Sequence, residues 1–507
     1  MTTSALPAVA NAAPIRLTDV PHWPIHKFRV ELIDELTQGN FLSAFFGVPS
    51  GADEVQLYAV ITRPELGTIG IASTIVSDAF PSLTPDAPQV HWFEREIAEQ
   101  WAVVPVGHPW LKPIRFHPAY QSKRDAWGRT ADQIEPGLAG FIRAAGAEAH
   151  EVAVGPVHAG VIEPGHFRFQ CHGEEVLHLE ISLGYQHRGI EQRLLRGPDK
   201  RTIPYMETLA GDSTVAHTTA YCQVIEALAG IAPPPRAQVL RGVALELERL
   251  ANHTGDLGAL AGDVGYLPTA SYCGRLRGDF LNTTAELCGN RFGRGLIRPG
   301  GVAFDAEPAR ASRMAERVTA AARDVAGATR LMWDSVTVQS RFEGTGRVSQ
   351  QAALDIGLVG PAARACGVER DVRFDFPTGV WRYVHIPVAI LQTGDVFARA
   401  YVRGLEVERS AAFVRSQLTT LPEGPLRRPC DARLAPNSVV VSLVEGWRGE
   451  VCHVAMTDEQ GSFALYKIVD PSFHNWFGLA LALRNQQISD FPLCNKSFNL
   501  SYCGHDL

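Results

Sequence analysis

No Cys-x-x-Cys pair occurs anywhere in the sequence. The nine cysteines (Cys171, Cys222, Cys273, Cys288, Cys366, Cys430, Cys452, Cys494 and Cys503) are odd in number and widely spread. That argues against a disulfide framework and against a local zinc or iron–sulfur cradle. Apolar runs are short: the best, such as 439–444, read as strands and fall far below the roughly 18 residues that cross a bilayer as a helix. Basic excess is missing too. Against 54 Asp+Glu stand 47 Lys+Arg, a formal charge of −7, which speaks against a nucleic-acid binder. No Gly-x-Gly-x-x-Gly follows a predicted strand, so direct NAD contact is not expected. No Lys or Arg precedes Arg16, so the N-terminus lacks the positive region of a secretory signal and the cytoplasm is the expected compartment.

What the sequence has is ordinary globular composition, 46% hydrophobic and 20% charged, over 507 residues, enough for two to four domains with buried cores. Residues 27–36 predict a helix and 55–62 and 67–76 predict strands, separated by the turns Pro49-Ser50-Gly51 and Pro64-Glu65-Leu66-Gly67. A helix over 93–101 closes this small unit. Residues 121–151 are polar or Ala/Gly-rich and read as linker. Beyond them, 156–181 looks β-rich. In 236–253, Leu240, Val243, Ala244, Leu247 and Leu250 recur at helical spacing after the start signal Pro233-Pro234-Pro235. Residues 307–333 and 395–418 are further long helical candidates. A β-rich stretch over 438–469, a short helix and a strand-like end complete the chain. The expected fold is α+β: a small N-terminal α/β domain over 1–120, a linker over 121–150, and a large mainly helical domain with peripheral strands over 151–507.

Several motifs carry a resemblance. Glu94-Arg95-Glu96 followed by Gly107-His108-Pro109 resembles the C subunit of NADH:quinone oxidoreductase (complex I). Gly155-Pro156-Val157-His158-Ala159-Gly160, Glu163-Pro164-Gly165-His166-Phe167-Arg168-Phe169 and Gly184-Tyr185-Gln186-His187-Arg188-Gly189-Ile190-Glu191 are similar to the opening of the D subunit of complex I and of group 4 nickel–iron hydrogenase large subunits. Glu248-Arg249-Leu250-Ala251-Asn252-His253, Arg298-Pro299-Gly300-Gly301, Gly394-Asp395-Val396-Phe397-Ala398-Arg399 and Asp470-Pro471-Ser472-Phe473-His474-Asn475 follow in the same order. The hydrogenase-4 and formate-hydrogenlyase branch, with its fused C-plus-D arrangement, looks closest.

The resemblance implies four thiolates, in two Cys-x-x-Cys pairs, to hold nickel and iron. Counting back from His217 places the first pair at Ala210 and Ser213; ungapped counting from Asp490-Phe491-Pro492-Leu493 places the second at Ser501 and Gly504, with Cys503 one residue out of register. On an extended strand that slip points Cys503 to the opposite face, and Cys494 and Cys503 are read as packing cysteines. The chain stops just after the second motif, so no tail to be clipped after metal insertion is expected. The quinone tyrosine of the D subunit falls at Gly211, with Tyr205 out of register; either His158 or His166 could match the quinone histidine. What remains is a polar lining in which His158, His166, Glu191, Asp212, Ser213 and His217 would converge: Glu191, Asp212 and His217 as proton-active groups, His158 and His166 toward a cofactor, quinone being possible, and no metal ligand.

By resemblance, the chain is expected to be a peripheral subunit on the cytoplasmic side of a membrane complex, packed against a small 4Fe-4S subunit resembling the B subunit of complex I and against integral membrane subunits. The alternatives are a hydrogenase using atypical ligands, Cys494 or Cys503 among them, and a non-catalytic scaffold whose pocket is closed.

Overall fold

A computed structural model describes residues 6–507 except 52, 138–139, 147, 159–161 and 431–432. Ala159 and Gly160, the end of the first glycine-rich motif, therefore lie outside the described residues. The first unit places helix α1 (Ile25–Thr37) on an antiparallel sheet of β2 (Phe41–Pro49), β3 (Val55–Arg63) and β4 (Thr68–Val76), with Phe28 and Leu32 turned into the core. The helix and the last two strands fall where periodicity and turn residues put them.

Helix α2 (His91–Trp101) is buried along its whole length, although its Glu/Arg content reads as a solvated face. Partners supplied from elsewhere in the chain make this possible. Glu94 accepts from Ser82 Oγ, Thr84 Oγ1 and the Leu83 amide, Glu99 accepts from the Arg115 and Phe116 amides, and Arg95 donates to the carbonyls of Lys112 and Pro113. Buried charge is tolerated where it is paired and hydrogen-bonded.

After it come a short strand, Val104–Val106, and, among the described residues of the linker, a 3-10 turn, Ala131–Gln133, before β5 (Ala149–Val154), which pairs with β6 (His166–His172), itself paired with β7 (Glu175–Ser182). Short helix α3 (Ile190–Leu194) and then α4 (Thr214–Ala229) lead into the helical body. There α5 (Pro235–Asp263) starts at the proline run as expected and continues ten residues beyond the predicted 253. Its glycines do not stop it, because a neighbour uses the space: a β-carbon at Gly258 would stand 2.8 Å from Cys273 Cβ on α6 (Leu267–Cys288), so glycine lets the two helices close up. Helices α7 (Pro308–Trp333) and α8 (Val396–Thr419) complete the layer, α8 packing on both α5 and α7.

The C-terminal strands β8 (Ser438–Gly446), β9 (Gly449–Thr457) and β10 (Phe463–Val469) form an antiparallel sheet whose fourth strand is the N-terminal β1 (Pro14–Arg16), paired Pro14 to Val440. Val439, Val441 and Leu443 join the core of the first unit, while Val440 and Val444 join that of the helical body. A sheet covered on both faces has apolar side chains at successive positions, which is why 439–444 is a nearly unbroken run.

The short helix expected after the strands is α9 (Pro471–Ala482), but the predicted strand-like end beyond it is helical instead: α10 (Phe491–Phe498) and α11 (Tyr502–His505). Pro492 opens α10, Asn499 turns the chain at φ 46°, and the Ser501 hydroxyl caps α11 by accepting from the Gly504 amide at 2.9 Å. No helix among the described residues is long and apolar enough to cross a membrane.

Candidate functional site

Two short arms meet beside β9 and β10: residues 208–213, before α4, and residues 499–504, around α11. The four positions matched to thiolates lie on them. Ala210 has no ligand atom. The Ser501 hydroxyl is spent capping α11, and its amide donates to Ser472 Oγ at 2.8 Å. At Gly504 a β-carbon would stand 2.6 Å from Asp470 Cγ and 2.8 Å from both carboxyl oxygens, so a side chain there would require the buried Asp470 carboxyl to move. Residues 501–504 occupy one helical turn, which replaces the expectation that Cys503 sits across a strand from its neighbours. Burial holds the Cys494 thiol up at about 12; burial, with Glu163 next, does the same for Cys503. Metal ligation needs thiolates. These residues do not fit a nickel–iron centre, and no group of three or more metal-ligating side chains occurs among the described residues.

Two guanidinium groups tie the arms together. Arg188 donates to the carbonyls of Thr208 at 2.8 Å and Leu209 at 2.9 Å on one arm and of Cys503 at 3.2 Å on the other. Arg448 grips both Asp212 carboxylate oxygens, at 2.6 and 2.8 Å, and reaches the Asn499 carbonyl at 2.5 Å. Planar, multi-donor geometry suits arginine to this bridging.

Behind them runs a buried chain of hydrogen bonds. His217 Nε2 lies 3.0 Å from Asp470 Oδ2, His217 Nδ1 lies 3.0 Å from His453 Nε2, and His453 Nδ1 lies 2.9 Å from the Tyr466 hydroxyl. A carboxylate only accepts, so His217 Nε2 carries the proton it gives Asp470. The directions of the His217–His453 and His453–Tyr466 bonds follow from which ring nitrogens carry the protons. Burial works to raise the Asp470 carboxyl, but the His217 bond and the Arg448 charge outweigh it and hold it below the usual range. Burial, then His217, keeps His453 neutral far below its ordinary value, and burial pushes Tyr466 up.

Arg448 thus reaches Asp212 and Ser213, while His217 bonds Asp470, whose carboxyl feels the Arg448 charge without a direct bond to it. The other three expected residues stand in neighbouring clusters. Glu191 accepts from the Ile468 amide at 3.0 Å and pairs with Lys467 at 3.1 Å; Lys467 also holds Glu96, which Arg115 completes. Burial would raise Glu96, yet Lys467 and Arg115 bring it to about 2. His158 bonds the Gly165 carbonyl at 2.9 Å; His166 bonds the Gly155 carbonyl at 3.2 Å and accepts from Arg168 Nε at 3.1 Å, with burial lowering it. His158 also lines an apolar pocket of about 500 Å³ with Phe167, Phe491, Tyr502, Asp263 and Lys496. Sequence reasoning missed His453, Tyr466, Arg188 and Arg448 as members of the site. Asp470 was visible only as part of a motif, and only its spacing to the arms could have flagged it.

The family described as the respiratory-chain NADH dehydrogenase 49 kDa subunit matches residues 263–438. Formate hydrogenlyase subunit 5 of Escherichia coli (strain K12) is 29% identical over 490 residues, 92% of this chain and 84% of that protein. Hydrogenase-4 component G of the same organism is 28% identical over 84% of this chain and 75% of its own length. The C/D subunit of NADH-quinone oxidoreductase from Bacteroides thetaiotaomicron is 28% identical over 73% of this chain and 74% of its own. Among solved structures, a chain of the archaeal membrane-bound sulfane sulfur reductase, a respiratory membrane complex, superposes with a TM-score of 0.65 at 22% identity, covering 71% of this chain and 99% of that one; it shares the fold.

Proposed function

We propose that this chain, a relative of the large subunits of formate hydrogenlyase-type hydrogenases and of NADH-quinone oxidoreductase, is the large subunit of a membrane-associated electron-transfer complex that works without a nickel–iron centre. The observation that carries this reading is the Asp470 carboxyl standing in the space a side chain at 504 would need. In the assembly the chain would pack, on the cytoplasmic side, against a small 4Fe-4S subunit resembling the B subunit of complex I and against integral membrane subunits. Asp212 and His217, linked through Arg448 and Asp470, would handle protons beside that cluster, with Glu191 in the adjoining ion-pair cluster. Purification of the native assembly with metal analysis tests this: iron without stoichiometric nickel is expected, and one nickel per chain would sink it in favour of atypical ligands.

Quinone binding is favoured by a separate observation. His158 and Tyr502, two side chains able to hydrogen-bond quinone oxygens, line one apolar pocket of about 500 Å³. Extraction of quinone from the native assembly, and its loss in His158→Ala, is the expected outcome. An assembly with no quinone and no response to that variant would leave the scaffold reading in place.

A further inference from the structure

Asp470, His217, His453 and Tyr466 stand in one line of hydrogen bonds of 3.0, 3.0 and 2.9 Å, and Tyr466, at 1% exposed, is the most accessible of the four. Each imidazole uses both nitrogens inside the line, so a proton reaching either ring comes through a neighbour. Burial works to raise the Asp470 carboxyl, yet the His217 bond and the Arg448 charge keep it ionised. Burial, then His217, keeps His453 uncharged, and burial keeps the Tyr466 hydroxyl protonated. One seat is left for an added proton: His217, with a carboxylate at Nε2 and an imidazole able to accept at Nδ1. Other charged groups on the elements around α4 have partners of their own: Arg448 with Asp212, Glu445 with Arg364, Glu450 with Arg370, Arg298 with Glu207, Arg241 with Glu226, and Glu248 at the Val215 amide.

The line has two self-consistent arrangements. With His217 neutral, its Nε2–H serves Asp470, its Nδ1 accepts from His453 Nε2–H, and His453 Nδ1 accepts from the Tyr466 hydroxyl. With a second proton on His217, Nδ1 becomes a donor. His453 must then offer a bare Nε2, carry its proton on Nδ1 and give it to the Tyr466 oxygen. The atoms balance by a shift along the line: the Tyr466 proton passes to His453 Nδ1, the His453 Nε2 proton passes to His217 Nδ1, and a solvent proton re-forms the Tyr466 O–H. Toward the surface, Tyr221 packs on Tyr466 with ring centroids 6.3 Å apart, the Tyr221 hydroxyl bonds Thr202, and Thr202 Oγ1 lies 3.3 Å from the carboxylate of exposed Asp199.

We infer that these four residues form a proton relay: when an electron reaches the partner cluster, His217 takes up one solvent proton through Tyr466 and His453, and both bonds between the three rings reverse. Asp470 is a positioning residue, holding the Nε2 proton in place. The inference rests on the electron-transfer reading above. Infrared difference spectroscopy tests it on the native assembly, labelled with 13C-histidine or 13C-tyrosine, stepped from about pH 8 to about pH 5, and separately reduced with dithionite at fixed pH. Histidine ring bands separate the two neutral tautomers from the imidazolium, and the tyrosine C–O band separates a donating hydroxyl from an accepting one. In the unmodified protein, one imidazolium, one tautomer exchange and one tyrosine turned acceptor should grow in together, on acidification and on reduction alike. His217→Gln should remove all three. Tyr466→Phe, the loss of one oxygen, should slow proton uptake after a pH jump by about tenfold or more. An imidazolium without the tautomer exchange, an unchanged rate in Tyr466→Phe, or reduction that moves none of these bands overturns the inference. Stoichiometric nickel would instead overturn the reading above and leave these bands in place, so the two failures are told apart.

Discussion

His217 and His453 share a single hydrogen bond of 3.0 Å with both rings wholly buried, and each uses its other nitrogen elsewhere, on Asp470 and on Tyr466. Every nitrogen of the pair is spoken for, so removing one ring strands two partners. His453→Phe should cost about 2–4 kcal/mol by leaving His217 Nδ1 and the Tyr466 hydroxyl unpaired in the interior. Adding Tyr466→Phe should return part of that loss, because the second orphan disappears. Urea unfolding of the single and double variants measures both; fully additive losses would contradict a connected chain.

Gly504→Cys restores one of the thiolate positions in name and collides with the Asp470 carboxyl in fact. Forcing a side chain into filled space costs about 1–3 kcal/mol. Ser213→Cys, a change of one atom, should cost less than about 1 kcal/mol. If Gly504→Cys melts with the unmodified protein, the carboxyl is not where the packing puts it.

Acid should loosen the contact between the first unit and the C-terminal sheet. His91, His108 and His474 are buried there, and burial is the chief cause that brings His108 and His474 to about 4 and His91 well below its ordinary value. An unfolded histidine titrates near about 6.5, so below that pH the unfolded chain binds protons that the folded one refuses. The stabilisation is complete above about 6.5 and is lost as pH falls toward about 4. Between pH 7 and 5 the loss should amount to about 1–2 kcal/mol for each such histidine, read from denaturation midpoints. His474→Gln should flatten that dependence, and an unchanged slope would acquit His474.

Arg448 holds Asp212 on one arm and the Asn499 carbonyl on the other. Lysine keeps the charge but cannot make three directed bonds in this fork geometry. Arg448→Lys should cost about 2–4 kcal/mol and speed amide exchange across 499–504 more than in α5. Hydrogen-exchange mass spectrometry separates that local loosening from a uniform loss of stability.

The legible parts are those governed by local pattern. The proline run announces α5, turn residues bound β3 and β4, and the run 439–444 announces a strand. Illegible are features whose cause lies far along the chain. The glutamates of α2 look solvated until Ser82, Arg115 and Lys467 arrive to pair with them. His453 sits in an apolar strand, and its partner His217 is 236 residues away. Local preference reads the C-terminal end as strand, and three capping residues, Pro492, Asn499 and Ser501, outweigh it.

The N-terminal strand β1 closes the edge of a sheet made by the last part of the chain, and Asn11 beside it hydrogen-bonds the Leu443 backbone, 432 residues away. A ribosome adding about 5–20 residues per second needs roughly 20–90 s to make that distance. For all that time Pro14–Arg16 has no strand to pair with, and β8, once made, exposes an unpaired apolar edge until that earlier segment returns to it. Birth order and assembly order thus run in opposite directions, and a chain lacking Pro14–Arg16 should partition into the insoluble fraction during synthesis, read by pulse labelling and centrifugation.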